Sequence, residues 1–161
     1  MADFPYTLAS AYKTPLNDIE RINGYNTKFT IPYTLLSAQT TATGSTDTVT
    51  ITLGTTPTFF LIDRVIAVVS TAFAGTGGLA LTVGTSTTTN AFLTSTSVLA
   101  TGLIQATTGA NTVATIAAGT STSAKTLTCV FTNSTSGSPS AVTAGSVDIL
   151  MNIRDLGGSS Y

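Results

Sequence analysis

The side chains able to move protons or hold metals are few and far apart. The 161-residue chain has no histidine, one cysteine, six lysines and arginines and seven carboxylates. Without histidine it lacks the usual general base, the commonest transition-metal ligand and the side chain that changes charge near neutral pH. Asp47, Asp63, Asp148 and Asp155 could supply a glycosidase pair or calcium ligands only if two or more converged on one point. No two of them share a loop at ligand spacing. Cys129 stands alone, which excludes an intramolecular disulfide and a cysteine-based zinc site. It lies between Leu127 and Phe131 in an alternating segment, the setting of a buried core thiol. Lys125 is the remaining candidate base, and nothing in its surroundings points to that role. The expectation is a protein that is not an enzyme, with no cofactor, no metal and no small-molecule substrate.

Two further motifs have simpler readings. Gly75-Thr76-Gly77-Gly78-Leu79-Ala80 fits a loose dinucleotide pattern. That chemistry needs a helix N-terminus immediately afterwards, so that backbone amides meet the pyrophosphate. Leu79-Ala80-Leu81-Thr82-Val83 alternates like a strand instead, so a hairpin turn is expected there. Asn133-Ser134-Thr135 has the form of a glycosylation site but sits in a Ser/Thr-rich turn, and no secretion signal opens the sequence.

Charge is scarce as well as scattered. Charged residues make up 8% of the chain, against about 25% in an ordinary domain. Between Val65 and Ser146 the only one is Lys125, and the net charge is −1. No basic patch forms, so nucleic acid is not an expected partner. The most apolar run, residues 59–69, is too short to span a bilayer and carries Asp63 and Arg64 at its middle, so no membrane role is expected either. A soluble protein made in the cytoplasm is the expectation.

What remains is β-structure, since Thr, Val and Ile suit a pleated ladder. Val49, Ile51 and Leu53 alternate with threonines; Leu79, Leu81 and Val83 repeat the pattern, as do Leu127, Cys129 and Phe131. Val147, Ile149, Met151 and Ile153 give another inward set, with Asp148, Asn152 and Arg154 outward. Weaker strands fit residues 30–37, 98–104 and 112–117. With no βαβ spacing, the sum is an all-β fold, a jelly-roll-like antiparallel sandwich of about eight strands. It is expected to span residues 30–155, after an extended N-terminal arm over 1–29 and before a flexible tail over 156–161.

The arm is unusually aromatic, with Phe4, Tyr6, Tyr12, Tyr25 and Phe29, and it holds one short helix. Thr14 can cap that helix, Pro15 suits its first position and Gly24 its end. Leu16, Ile19 and Ile22 then share a face that must dock, either on the protein's own domain or on a neighbouring protein. Residues 59–69 also break the half-polar rule. Strict alternation puts Phe60, Ile62, Arg64, Ile66 and Val68 on one face and Phe59, Leu61, Asp63, Val65, Ala67 and Val69 on the other. Both faces are apolar apart from one charge each, so the second needs a cover, from the arm or from another subunit.

Residues 79–85, then a Ser/Thr stretch, then Asn90-Ala91-Phe92-Leu93 and Val98-Leu99-Ala100-Thr101-Gly102, resemble a recurrent arrangement in tailed-bacteriophage virion proteins. With the aromatic arm and the low-charge Thr-rich body, the chain resembles the small β-sandwich decoration (cement) proteins of phage heads. The resemblance implies a homotrimer on the capsid surface of the virion, assembled in the host cytoplasm, with the major capsid protein as its partner. It implies an arm lying across neighbouring capsid subunits, with Phe4, Tyr6, Tyr12 and Tyr25 as anchors beside Leu16, Ile19 and Ile22. The 59–69 strand would then pack near the trimer axis through Phe60, Ile62, Arg64, Ile66 and Val68. A tail, neck or head-fibre module that binds a receptor glycan or another virion protein is the rival reading. Glycan platforms favour aromatic side chains on loops, yet there is no Trp, and only Tyr33 and Tyr161 are tyrosines outside the arm.

Overall fold

The computed structural model describes residues 14–39, 47–56, 60–105, 124–135 and 137–155. Phe4, Tyr6, Tyr12, the strand expected at 112–117 and the tail at 156–161 lie outside them. A short helix, α1 (Asp18–Ile22), comes first, followed by β1 (Thr27–Pro32) and a second short helix, α2 (Tyr33–Ser37). Then come β2 (Thr48–Thr55), β3 (Phe60–Ala74), β4 (Leu79–Thr85), β5 (Leu93–Ser97), β6 (Gly102–Gln105), β7 (Thr126–Asn133) and β8 (Ala144–Asp155).

The described strands form two four-stranded sheets, a first in the order β1-β8-β3-β6 and a second in the order β2-β7-β4-β5. All pairings are antiparallel. The chain is thus one long hairpin, with β4 and β5 at its tip and β1 and β8 at its open end, rolled so that successive pairs fall in opposite sheets. This is the winding of a jelly roll. The all-β sandwich read from the alternating segments is what the chain forms.

The core lies between the sheets. Phe29, Ile31, Ile62, Val65, Ala67, Val69, Val147, Ile149, Met151 and Ile153 line the first sheet's inner side. Val49, Ile51, Leu53, Leu81, Val83, Leu127, Cys129 and Phe131 line the second's. Phe73 and Phe131 meet across the gap with ring centroids 5.6 Å apart and planes tilted by 48°, a favoured aromatic geometry. Each fully buried aliphatic or aromatic side chain contributes roughly 1.5–3 kcal/mol. Cys129 is completely buried and its thiol is pushed up to about 12 by desolvation, so it is a core residue.

Several expected elements shift. The strand expected at 30–37 starts earlier and stops at Pro32, where the missing N–H ends the ladder on this edge strand. The next five residues turn into α2, which buries Leu36. The body therefore begins at Thr27, and residues 27–29, including buried Phe29, belong to the sandwich. Of the strand expected at 98–104 only 102–104 is strand, within β6; residues 98–101 link β5 to β6. Val98 lies between them and ties both sheets: its N–H donates to Leu79 O (3.2 Å) and its carbonyl accepts from Phe73 N (3.1 Å). The glycine run 75–78 is a turn but not a hairpin, because β3 and β4 lie in different sheets.

Gly75 shows why that crossing needs glycine. Its φ is +99°, and a Cβ there would sit 2.5 Å from the Ala141 carbonyl oxygen. Gly75→Ala should therefore lower unfolding free energy by about 2 kcal/mol or more, measured by urea denaturation. Unchanged stability would mean that the crossing tolerates another backbone path.

Candidate functional site

The surface features converge on the outward side of the first sheet. Register places Lys28, Leu150 and Ile66 in one row across β1, β8 and β3. Thr30, Asp148, Val68 and Leu103 form the next row, reaching β6. Arg64 stands one step further along, opposite Asn152. Ile66 and Val68 are half-buried, and Leu103 is 55% exposed. The second sheet's outward side differs, carrying Thr48, Thr50 and Thr52 in solvent.

The phase of β3 corrects one assignment. Ile62 pairs with Ile153 but Arg64 with Asn152, so the ladder slips by one residue between them, a β-bulge at Asp63. The bulge resets the alternation, and Ile62 and Val65 both point inward. Ile62 is fully buried in the single chain and has no surface to give a partner. Phe60 packs against the core, half-buried. Of the residues expected on the free face, Arg64, Ile66 and Val68 are there.

The segment before β1 crosses this face. Asn17, not Thr14, caps α1: its side chain accepts from Glu20 N (2.8 Å), while the Glu20 carboxylate accepts from Asn17 N (2.8 Å). This reciprocal box closes the first turn. At the other end Tyr25 N donates to Glu20 O and Gly24 N to Arg21 O, with Gly24 at φ +85°, the glycine-ended stop of a Schellman motif. The expected end at Gly24 is observed. The Leu16–Ile19–Ile22 face does not dock on the protein's own domain: Ile19 is 70% and Ile22 83% exposed, and α1 buries none of its residues. Leu16 is half-buried.

Polar groups fasten the segment instead. Lys28 Nζ reaches Glu20 Oε1 at 2.9 Å and Asp148 Oδ2 at 3.2 Å, all three side chains being 80% or more sequestered. Thr30 donates to Asp148 Oδ1 (2.7 Å) and contacts Thr14 Oγ1 (3.0 Å). Thr30 has one proton and spends it on Asp148, so Thr14 is the donor in that contact. Arg64 donates to the Asn23 carbonyl and stands 5.7 Å from the Tyr25 ring centroid, within cation–π range. At the base, the Asn26 amide brackets Ile153, donating to its carbonyl (2.6 Å) and accepting from its N–H (3.0 Å).

Other motifs resolve to structure. Asn133 is fully buried, donating its amide to the Gly137 carbonyl, with its side-chain oxygen 3.3 Å from Thr135 N. Among the described residues no group of three His, Cys, Asp or Glu side chains could hold a metal, and no helix is long and apolar enough to cross a membrane. Lys28, Glu20 and Leu103 were not singled out from sequence, and Asp148 was named as an outward residue and a candidate carboxylate but not as a partner of Lys28. Alternation alone puts Lys28 and Asp148 outward, but their meeting depends on the β1–β8 register. Comparison with models of known families, with characterised proteins and with solved structures finds no match.

The cluster has a defined pH window. Burial alone pushes the Glu20 carboxyl up, but its hydrogen bonds from Lys28 and Asn17 and the lysine charge outweigh this and hold it low. Burial likewise pulls Lys28 down, and its bonds and charge pairing with Glu20 and Asp148 outweigh it, leaving it raised. A lowered acid stabilises above its ordinary titration range and loses that stabilisation as pH falls; a raised base loses it as pH climbs past the lysine range. Thermal midpoints of the parent chain should exceed those of Glu20→Gln near neutrality and converge with them between about pH 5 and 3. A constant difference across that range would contradict the cluster's role.

Proposed function

We propose that this protein is a structural binding module, a capsid decoration (cement) protein that seats on neighbouring major capsid subunits and holds them together. The observation that carries this reading is the outward apolar group Ile66, Val68 and Leu103, the first two half-buried and the last 55% exposed, on the first sheet of a jelly roll whose other outward face presents threonines. Apolar surface of this kind on a soluble domain marks an interface. The exposed Ile19 and Ile22 add a second apolar ridge on the same face of the molecule, the side on which α1 is fastened. The partner class rests on the resemblance of residues 79–102 and of the low-charge Thr-rich body to phage-head decoration proteins.

In this reading the mechanism is mechanical. Three chains associate through the β3–β6 side of the first sheet, close to the threefold axis. Each chain then lays its strap ridge, Ile19 and Ile22, on a capsid subunit. Three modest contacts joined in one trimer act with the effective concentration of a tethered system. A hydroxyl-rich surface makes contacts that depend weakly on salt, as a head exposed to changing media requires.

Light scattering on a sizing column should give the mass of three 16.3 kDa chains. Val68→Asp and Leu103→Asp, both surface changes that leave the core intact, should each give a folded monomer with at least about tenfold weaker retention on isolated capsids. Variants that keep the parent's mass and capsid binding would overturn this use of the face.

A further inference from the structure

We propose that residues 14–26 form a detachable strap over the first sheet, latched by one polar cluster, and that its release uncovers Leu150 and extends the apolar row across β8. The inference concerns the chain itself and does not depend on which partner takes the face.

The strap crosses β8 from above. It starts at the β1 edge, where Thr14 N donates to Lys28 O (3.0 Å), reaches Arg64 on β3 through Asn23 and Tyr25, and returns to β8 at Asn26. Between its ends lie Lys28 and Ile66, and between those lies Leu150. Leu150 points outward yet is only 3% exposed.

The strap is built to leave. A helix as short as α1 has no stability of its own, and this one buries no apolar side chain. What keeps it in place is polar: Glu20 on Lys28, Arg64 on the Asn23 carbonyl, and Thr14 on Thr30 at the far end, while Asp148 on β8 holds Lys28 and Thr30 in position from within the sheet. Lys28 makes the strap's one ion pair among the described residues, so losing that cation opens it and leaves Asp148 without its charge partner. The base is firmer, because Asn26 makes two hydrogen bonds to Ile153 and its N–H a third to the Met151 carbonyl. Gly24, already at positive φ, supplies the pivot beside it. Once the strap swings out, Leu150 joins Ile66, Val68 and Leu103 in a continuous surface over β8, β3 and β6.

Hydrogen exchange read by mass spectrometry tests this on the full chain. Amides of residues 17–25 should exchange at least about tenfold faster at about 1 M KCl than at about 50 mM, because salt screens the latch, while those of β2 and β7 stay unchanged. Lys28→Gln should show the fast rate already at low salt and should bind an apolar fluorescent dye more strongly. Thr14→Cys combined with Thr30→Cys, once oxidised, should restore slow exchange and suppress the dye signal. The proposal is overturned if strap amides exchange only together with β7 at both salt levels, or if Lys28→Gln changes neither rate nor dye binding. The salt series on the parent chain decides the matter even if Lys28→Gln does not fold.

Discussion

The pairing of β3 with β8 is the constraint on which the rest depends. It runs from Phe60 opposite Asp155 to Ala74 opposite Ala144 and occupies the middle of the first sheet. Its inward side chains form one wall of the core, and its outward ones form the floor of the candidate site. The bulge at Asp63 sets which is which. Without that extra residue, keeping Val65 inward would turn Ile62 to solvent, and keeping Ile62 inward would carry Arg64 into the apolar interior. An unpaired guanidinium there is far costlier than any contact it could gain. The bulge lets a nearly continuous apolar segment serve a two-layer fold and still place Arg64 where Asn23 and Tyr25 meet it.

A second consequence concerns charge. So few ionised groups remain that their placement is informative, and four of them, Glu20, Lys28, Arg64 and Asp148, gather on one outer face. Exposed ion pairs contribute little, but Glu20, Lys28 and Asp148 are mostly sequestered and share hydrogen bonds, so their attachments are specific. The opposite face presents threonines. The two sides of the sandwich are therefore chemically distinct: one inert and hydroxyl-lined, the other carrying a polar latch beside an apolar row.

Much of the sandwich was legible because its strands are half-buried. Period-two alternation marked β2, β4, β7 and β8, whose Val49–Ile51–Leu53 and Val147–Ile149–Met151 sets are all in the core. Legibility failed where a residue's role is set by a distant partner. The slip at Asp63 exists only against Asn152 and Ile153, and Val98 ends a strand because Leu79 and Phe73 claim its backbone from opposite sheets. The helix was half legible. Its end at Gly24 follows from local chemistry, but Asn17 won the cap because Glu20 reciprocates it. The Leu16, Ile19, Ile22 stripe suggested apolar docking, whereas the contact runs through Glu20 and leaves both isoleucines in solvent. The make-up of the outer face was half legible too: Ile66 and Val68 stood out in the apolar run, while Leu103 enters only through its register with Val68.

The central claim is that this protein acts by binding through the outward side of its first sheet. Side-chain footprinting of the isolated dilute chain and of the capsid-bound protein tests it most directly. The claim predicts that Ile66, Val68 and Leu103, with Ile19 and Ile22, lose reactivity several-fold on assembly, while Thr48, Thr50 and Thr52 keep theirs. Protection of the threonine face with the isoleucines and Leu103 still fully reactive would contradict it.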